Sequence, residues 1–371
     1  MPTLEIRRVT KRQDLERFIA LPYTTYRRNP SWTPPLRRDV REMLDPDRNP
    51  FFEHASLAGF LALRDGKVVG RVAAIDNGRH EELHRDQVGF FGFFECVDDA
   101  EAARSLVEAA ADWARARGKR TLRGPVSPSM NDEAGLLVEG FETPAVIMMP
   151  HNPPFYARLL EGCELNKAMD LIAYQSTSPV LPERLARGVA RMTGHLGITL
   201  RTLDVRRFDA ELAVVQRLYN AAWEDNWGFV PMTDREMTYL AKQLRPILVP
   251  ELAVFAEHQG ETVGFGLAIP DMAVALRANP SGRFFPGILR VLLSARRLTR
   301  LRILALGTLP NWRLKGVDAI LYHHIWREGR ERGFDWGEAS WILETNALMR
   351  NALERMGFSP YKTYRLYEKA L

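Results

Sequence analysis

The sequence predicts an α/β protein of the α+β kind, built twice: two tandem domains, each a mixed, mostly antiparallel sheet flanked by helices. Three observations carry this. IRRVTKRQDLERF from Ile6 is echoed by LRTLDVRRFDAEL from Leu200, an offset of 194, and the same offset returns in DGKVVGRVAAI from Asp65 against QGETVGFGLAI from Gln259. The order of apolar patterns is the same in both halves. The 371 residues, 46% hydrophobic and 26% charged, exceed what one core usually serves, at roughly 100–200 residues per domain.

Each copy reads in turn as strand, helix, Pro/Trp-rich loop, two-strand hairpin, strand, long helix, strand, short helix and final strand. NPSWTPP around Trp32 marks the first loop and DNWGFVP around Trp227 the second. The hairpins turn at Asp65-Gly66 and Gln259-Gly260, each between alternating apolar runs. After the strand VGFFGFFE, Asp98 is expected to cap the long helix. Both long helices end at a glycine after a basic turn, Gly118 and Gly333. YARLLEGCELNKAMDLIAY and NALERMGFSPYKTYRLY supply the last helix and strand, with Gly162 matching Gly357. The domains are expected at 1–175 and 197–371, joined by a linker at 176–196 that carries Pro179, Pro182 and a short helical pattern. Two insertions distinguish the copies: 124–149 in the first, and 272–302 in the second.

Composition excludes several classes. Cys96 and Cys163 are the only cysteines, too few for a disulfide framework or a cysteine-built zinc site. The amino-terminal residues hold no apolar signal core, and no stretch reaches the ~18 apolar residues of a membrane span. A cytoplasmic location is expected.

The net charge of +5 is unevenly spread: from Met272 to Val317 there is no Asp or Glu, against nine cations. An anionic partner should sit there. In GILRVLLSARRLTR, from Gly287 to Arg300, helical spacing puts Ile288, Val291, Leu292, Ala295 and Leu298 on one face and Arg290, Arg296, Arg297 and Arg300 on the other. This is either an interfacial helix on an anionic membrane surface or a core-packed helix with a solvated arginine face. The segment has no aromatic platform after Phe285, which argues against nucleic acid.

The strand RILALGTL runs through Pro310-Asn311-Trp312-Arg313-Leu314-Lys315-Gly316 into a helix. Such a junction aims free N–H groups and the positive end of a helix dipole at one spot, which suits a phosphate. Arg313 and Lys315 add charge, and Gly316 removes a side chain. The alternative is a basic turn that merely starts a helix, since R-x-x-G also occurs at Arg115 and Arg330.

Pro310, Arg313 and Gly316 resemble the P-x-x-R-x-x-G-x-G/A fingerprint of the GNAT superfamily of acyl-CoA N-acyltransferases, and Asn346 before Gly357-Phe358 is similar to that family's N…GF helix. Asp318 stands where the family has Gly or Ala. The resemblance implies two GNAT-like domains and acyl-CoA as co-substrate, with no permanently bound cofactor. It further implies that Arg313, Lys315, Gly316, Val317, Asp318, Ala319 and Asn346 bind the CoA, and that amides at Gly307, Thr308 and Leu309 hold the reacting carbonyl. The first copy offers Cys96-Val97-Asp98-Asp99 at the same place, too acidic for phosphate, so one acyl-CoA per chain is expected.

Many family members place a tyrosine acid where this chain has Leu353. Tyr361 and Tyr364 are the nearest replacements. Candidates for the base are Glu338 and Glu344, around the strand WGEASWILETN, and Glu133 from the first copy's polar insertion. The two-copy form with RGPVSPSMNDEAGLLVEGF resembles bacterial proteins associated with sphingolipid formation. That implies transfer of a long-chain acyl group to the amine of a sphingoid base, at the cytoplasmic face of the inner membrane. Acetyl transfer to a soluble amine, or a non-catalytic peripheral membrane role for the retained fold, would use the same features differently.

Overall fold

The computed structural model describes residues 3–177 and 183–371. Pro179 and Pro182 of the expected linker lie outside them. The chain forms two compact units: Met1–Leu171 with Ala273–Ala295 and Lys362–Leu371, and Ile172–Met272 with Arg296–Tyr361.

The first half of the chain runs β1 (Leu4–Arg8), α1 (Arg12–Thr25), α2 (Arg37–Met43), β2 (Ala55–Arg64), β3 (Lys67–Asn77), α3 (Gly78–His84), β4 (Val88–Cys96) and α4 (Ala100–Arg115). It continues through β5 (Thr121–Gly124), β6 (Val126–Ser127), β7 (Glu133–Ala134), β8 (Leu136–Glu139), α5 (Phe155–Glu161) and β9 (Asn166–Ser176). The second half opens with α6 (Glu183–Leu196), β10 (Ile198–Thr202), α7 (Phe208–Trp223), α8 (Asp234–Leu244), β11 (Ala253–His258) and β12 (Glu261–Pro270). It then runs α9 (Met272–Leu276), α10 (Gly287–Ala295), β13 (Arg300–Thr308), α11 (Val317–Glu331), β14 (Trp336–Leu343), α12 (Ala347–Arg355) and β15 (Ser359–Ala370).

In the first unit the strands lie in the order β1-β2-β3-β4-β5-β15, and in the second β9-β14-β13-β12-β11-β10. Strand β4 pairs with β5 and β13 with β14 in parallel, whereas β1–β2, β2–β3, β3–β4 and β5–β15 in the first unit and β10–β11, β11–β12 and β12–β13 in the second are antiparallel. Each unit therefore includes residues from the last strand of the other sequence copy.

Both hairpins close through two left-handed residues, Asp65 (φ 50°) with Gly66 (φ 76°) and Gln259 (φ 50°) with Gly260 (φ 85°), the geometry of a tight two-residue turn. The long helix α4 presents Ala102, Ala103, Leu106, Ala110 and Ala114 to Ala62, Val72, Ala74 and Phe91, so small side chains let helix and sheet approach closely. Its cap is Asp99, not Asp98: the Asp99 carboxylate accepts from the amides of Glu101 and Ala102 at 3.1 Å. The helix begins at Ala100, and only the preceding side chain reaches those amides. Asp98 instead pairs with Arg158 at 2.6 Å.

In the second unit α11 buries Val317, Ile320, Leu321 and Ile325 against Val254, Val263, Ile303 and Ala339. On the opposite face α7 sets Leu218 against Phe255 and Phe265. The basic helix also differs from expectation. It ends at Ala295, and Arg300 opens β13, where it pairs with Asp271 at 3.6 Å and lies 3.7 Å over the Trp336 ring. Arg290, Arg296 and Arg297 are exposed, whereas Arg300 is held by this pairing.

Both β4 and β13 carry a bulge, one register step apart in the two copies. Between Arg71↔Glu95 and Ala73↔Gly92, β4 has an extra residue, and Leu304 is the extra residue of β13. In the first unit the chain folds tightly over this region: a Cβ at Gly92 would lie 1.5 Å from the Val126 carbonyl oxygen. Gly92→Ala is therefore expected to cost several kcal/mol, the range of a severe steric core change. Gly118→Ala, with positive φ but no neighbour within 4 Å, should cost only about 1 kcal/mol. Thermal or denaturant unfolding of the two variants checks this order.

Candidate active site

Strand β13 pairs with β14 only over Arg300–Ile303 against Trp336–Ala339. Beyond that point β13 continues to pair with β12. The Leu309 amide donates to the Val263 carbonyl at 2.9 Å, and with Gly307 opposite Phe265 this fixes the alternation of the antiparallel ladder. Gly307 and Leu309 spend their amides on β12, while those of Leu306 and Thr308 turn to the side β14 has left. Of the three expected carbonyl donors, Thr308 is available in this alternation. Leu306, which sequence reasoning missed, joins it. Gly307 has another role: a Cβ there would lie 2.6 Å from Ala222, so its bareness admits the end of α7.

After a short 3-10 turn, Pro310–Trp312, the chain enters the loop before α11. Leu314 (φ 62°) and Gly316 (φ 84°) are left-handed, and none of the amides of residues 314–319 meets an acceptor among the described residues. These include Lys315, Gly316, Val317, Asp318 and Ala319. Six unpaired N–H groups at the positive end of a 15-residue helix form a ready anion cradle. Gly316 is required for a second reason, since a Cβ would lie 2.1 Å from the Met192 sulfur. Arg313 points elsewhere: it pairs with Asp225 at 2.9 Å and donates to the Ala222 carbonyl at 3.2 Å, tying the loop to the C-terminal end of α7. Lys315 sits with its ammonium 4.6 Å from the Trp312 ring centroid. Asp318 lies in the first helical turn. Asn346 caps α12 through the Met349 amide at 3.1 Å.

Glu338 and Tyr361 come together. Glu338 is fully buried, and its two carboxylate oxygens accept from the hydroxyls of Ser340 and Tyr361. Arg302, opposite Glu338 in the parallel register, donates through Nε to the Ser340 hydroxyl at 3.2 Å. Burial pushes the Glu338 carboxyl above its ordinary range, and the Arg302 guanidinium opposes that shift. By alternation with Ala339 and Ile303, which face α11, this cluster lies on the α7 side of the sheet. Sequence reasoning missed Arg302 and Ser340; the two-residue spacing Glu338-Ala339-Ser340 was the available signal.

Glu344 follows β14, and its carbonyl accepts from Arg350 at 3.0 Å. Tyr364 is wholly buried on β15 opposite Leu137 of β8, and Glu133 is exposed on β7 opposite Ser127; both belong to the first unit. Leu353, where a tyrosine was looked for, is buried in the core under α11.

In the first unit the bulge of β4 is covered by the protein's own chain. The Phe93 amide donates to the Ser127 hydroxyl at 2.9 Å. Nearby, Glu95 accepts from Tyr26 at 2.8 Å and Tyr156 at 2.7 Å, with Arg71 at 3.7 Å. The Phe93 amide is thus spent on the protein itself.

Because the folded state raises the pKa of Glu338, its proton contributes stability below the unfolded value, near 4.3, and that contribution is lost as pH rises through the native value. Denaturant unfolding from mildly acidic to neutral pH should show wild type losing stability relative to Glu338→Gln. Identical pH slopes would contradict this assignment.

No protein-family profile matches the chain. It is 36% identical over 367 residues to a bacterial ceramide synthase from Caulobacter vibrioides, covering 96% of this chain and 95% of that one. It is 33% identical to protein YghO of Escherichia coli, covering 99% and 95%. Among solved structures, a tandem GNAT protein from the clavulanic acid biosynthesis pathway superposes with TM-score 0.57 at 13% identity, covering 99% of this chain and 98% of that one. A GCN5-related N-acetyltransferase from Sphaerobacter thermophilus gives 0.53 at 16%, covering 99% and 95%. Those two likenesses are of fold; the identity to the Caulobacter protein is of family. The chain belongs to the bacterial ceramide synthase family and is an N-acyltransferase of tandem GNAT fold.

Proposed function

We propose that the protein transfers a long-chain acyl group from acyl-CoA to the primary amine of a sphingoid base. The observation that carries the reading is the run of amides at 314–319 that meet no acceptor among the described residues, continuous in sequence with the edge of β13 that β14 has left. The first set suits a pyrophosphate and the second a thioester carbonyl, whose oxygen gains charge as the amine attacks. Leu306 and Thr308 donate to that oxygen.

Glu338 is the base in this reading. Since both its oxygens are already engaged, it acts through the Tyr361 hydroxyl, which passes a proton between the reacting groups and the carboxylate. The amine nitrogen bonds to the acyl carbon, the carbon–sulfur bond breaks, and the thiolate leaves as the free thiol of CoA. Arg302 and Ser340 hold the carboxylate in place. The acceptor is taken from the name of the Caulobacter relative. An acyltransferase with a lipid acceptor would work at the cytoplasmic face of the inner membrane, with Arg290, Arg296 and Arg297 toward anionic lipid.

Incubation with sphinganine and palmitoyl-CoA, followed by lipid mass spectrometry, is expected to show the amide; acetyl-CoA with soluble amines is the comparison arm. Product from acetyl-CoA alone would replace the lipid acceptor with a soluble one. Tyr361→Phe should lower kcat about 100-fold, the usual loss of a proton-transfer group, with KM for acyl-CoA little changed. Asp318→Ala should tighten CoA binding about two- to fivefold by calorimetry, because it removes an anion from an anion cradle.

A further inference from the structure

The segment 273–295 is anchored on the first unit by its turn. The Arg37 amide donates to the Gly282 carbonyl at 2.9 Å, and Arg277 donates to the Thr33 hydroxyl at 3.2 Å. Gly282 (φ 62°) is buried, and a Cβ there would lie 2.3 Å from the Tyr23 ring. Asn279, also buried, donates to the Arg283 carbonyl at 2.8 Å and fixes the approach to α10.

What this pedestal presents is unusual. Val291 is buried, yet Phe285 is 70% exposed, Leu289 and Leu292 are each 57% exposed, and Leu293 is 64% exposed. At helical spacing the three leucines occupy an arc of about 100°, with Phe285 just before the first turn. Arg283 and Arg290 on the same segment are exposed, as are Arg296 and Arg297 directly after the helix. The outward apolar face is thus not the one that the sequence periodicity selects: of those five residues, Leu292 alone is exposed.

We infer that α10 is a membrane-docking helix, and that Phe285, Leu289, Leu292 and Leu293 enter the headgroup boundary of an anionic bilayer while Arg283 and Arg290 engage lipid phosphates. Charge complementarity selects this occupant, because the stretch of sequence that carries the helix, residues 272–317, contains no carboxylate. A second copy of the chain is the poorer fit. A two-fold contact through this face would set Arg290 and Arg283 against their own likes with no acid on the segment to answer them. The inference extends the lipid-acceptor reading, but its assay contains neither acyl-CoA nor amine, so either can fail without the other.

Purified protein is sedimented with vesicles of phosphatidylcholine alone and of phosphatidylcholine with phosphatidylglycerol in equal amounts. Binding to the anionic vesicles is expected. Leu289→Ser combined with Leu293→Ser should weaken it more than about tenfold through lost apolar burial. Arg290→Glu should weaken it about fivefold to tenfold. Leu83→Ser, a similarly exposed leucine on α3, should leave it unchanged. Because the substituted side chains are exposed, thermal midpoints should match wild type and so separate lost docking from lost folding. No binding by wild type, equal binding by the leucine and arginine variants, or equal loss in Leu83→Ser overturns the inference. So does a dimer in sedimentation equilibrium that the double leucine variant abolishes, since the face would then belong to a second copy.

Discussion

The site in the second unit depends on one constraint: a strand that stops pairing must still account for its polar groups. After Ile303, β13 leaves β14 and keeps β12, with Leu304 bulged out. Inside a protein such an edge is normally satisfied by neighbouring chain or by water. Here it is followed by a loop and helix start whose amides meet no acceptor among the described residues. The surrounding features support that opening. The bare Gly307 lets α7 come close, Arg313 fastens the loop to the end of α7, and Glu338 sits at one of the last registers where β13 and β14 still pair.

The first unit shows the opposite use of the same backbone. Its strand β4 carries a bulge one register step away, but the chain crosses it within contact distance of Gly92, and Ser127 takes the Phe93 amide. In the register that sets Gly307 opposite Phe265, the first copy sets Glu95 opposite Arg71. Two tyrosines then hold that carboxylate in the interior. A shared fold thus yields one open edge and one filled edge, decided by side-chain content.

Much of this was legible in the sequence. Repeats at one offset, glycines at the hairpin turns and helix ends, and the strand-loop-helix junction at Gly316 all report local backbone geometry, which sequence encodes directly. Glu338 and Tyr361 were legible as types in suitable strands. What was not legible depends on pairing between distant residues. That Leu309 spends its amide on Val263 follows from strand register, and that Arg313 serves α7 follows from helix packing. The outward face of α10 was misread because the helix is apolar on both sides, so periodicity alone cannot say which side the protein covers.

The trading of last strands has a consequence in time. Strand β5 obtains its neighbour from residues 367–370, with Tyr367 opposite Gly124 and Ala370 opposite Thr121. At about 5–20 residues per second, a ribosome needs on the order of ten seconds or more to reach that strand after making β5. Throughout that interval the first unit holds an unpaired sheet edge, the kind of surface on which chains join wrongly. The first half of this duplicated chain therefore cannot finish folding as it is made, and must wait, unfinished, for the last stretch of the second.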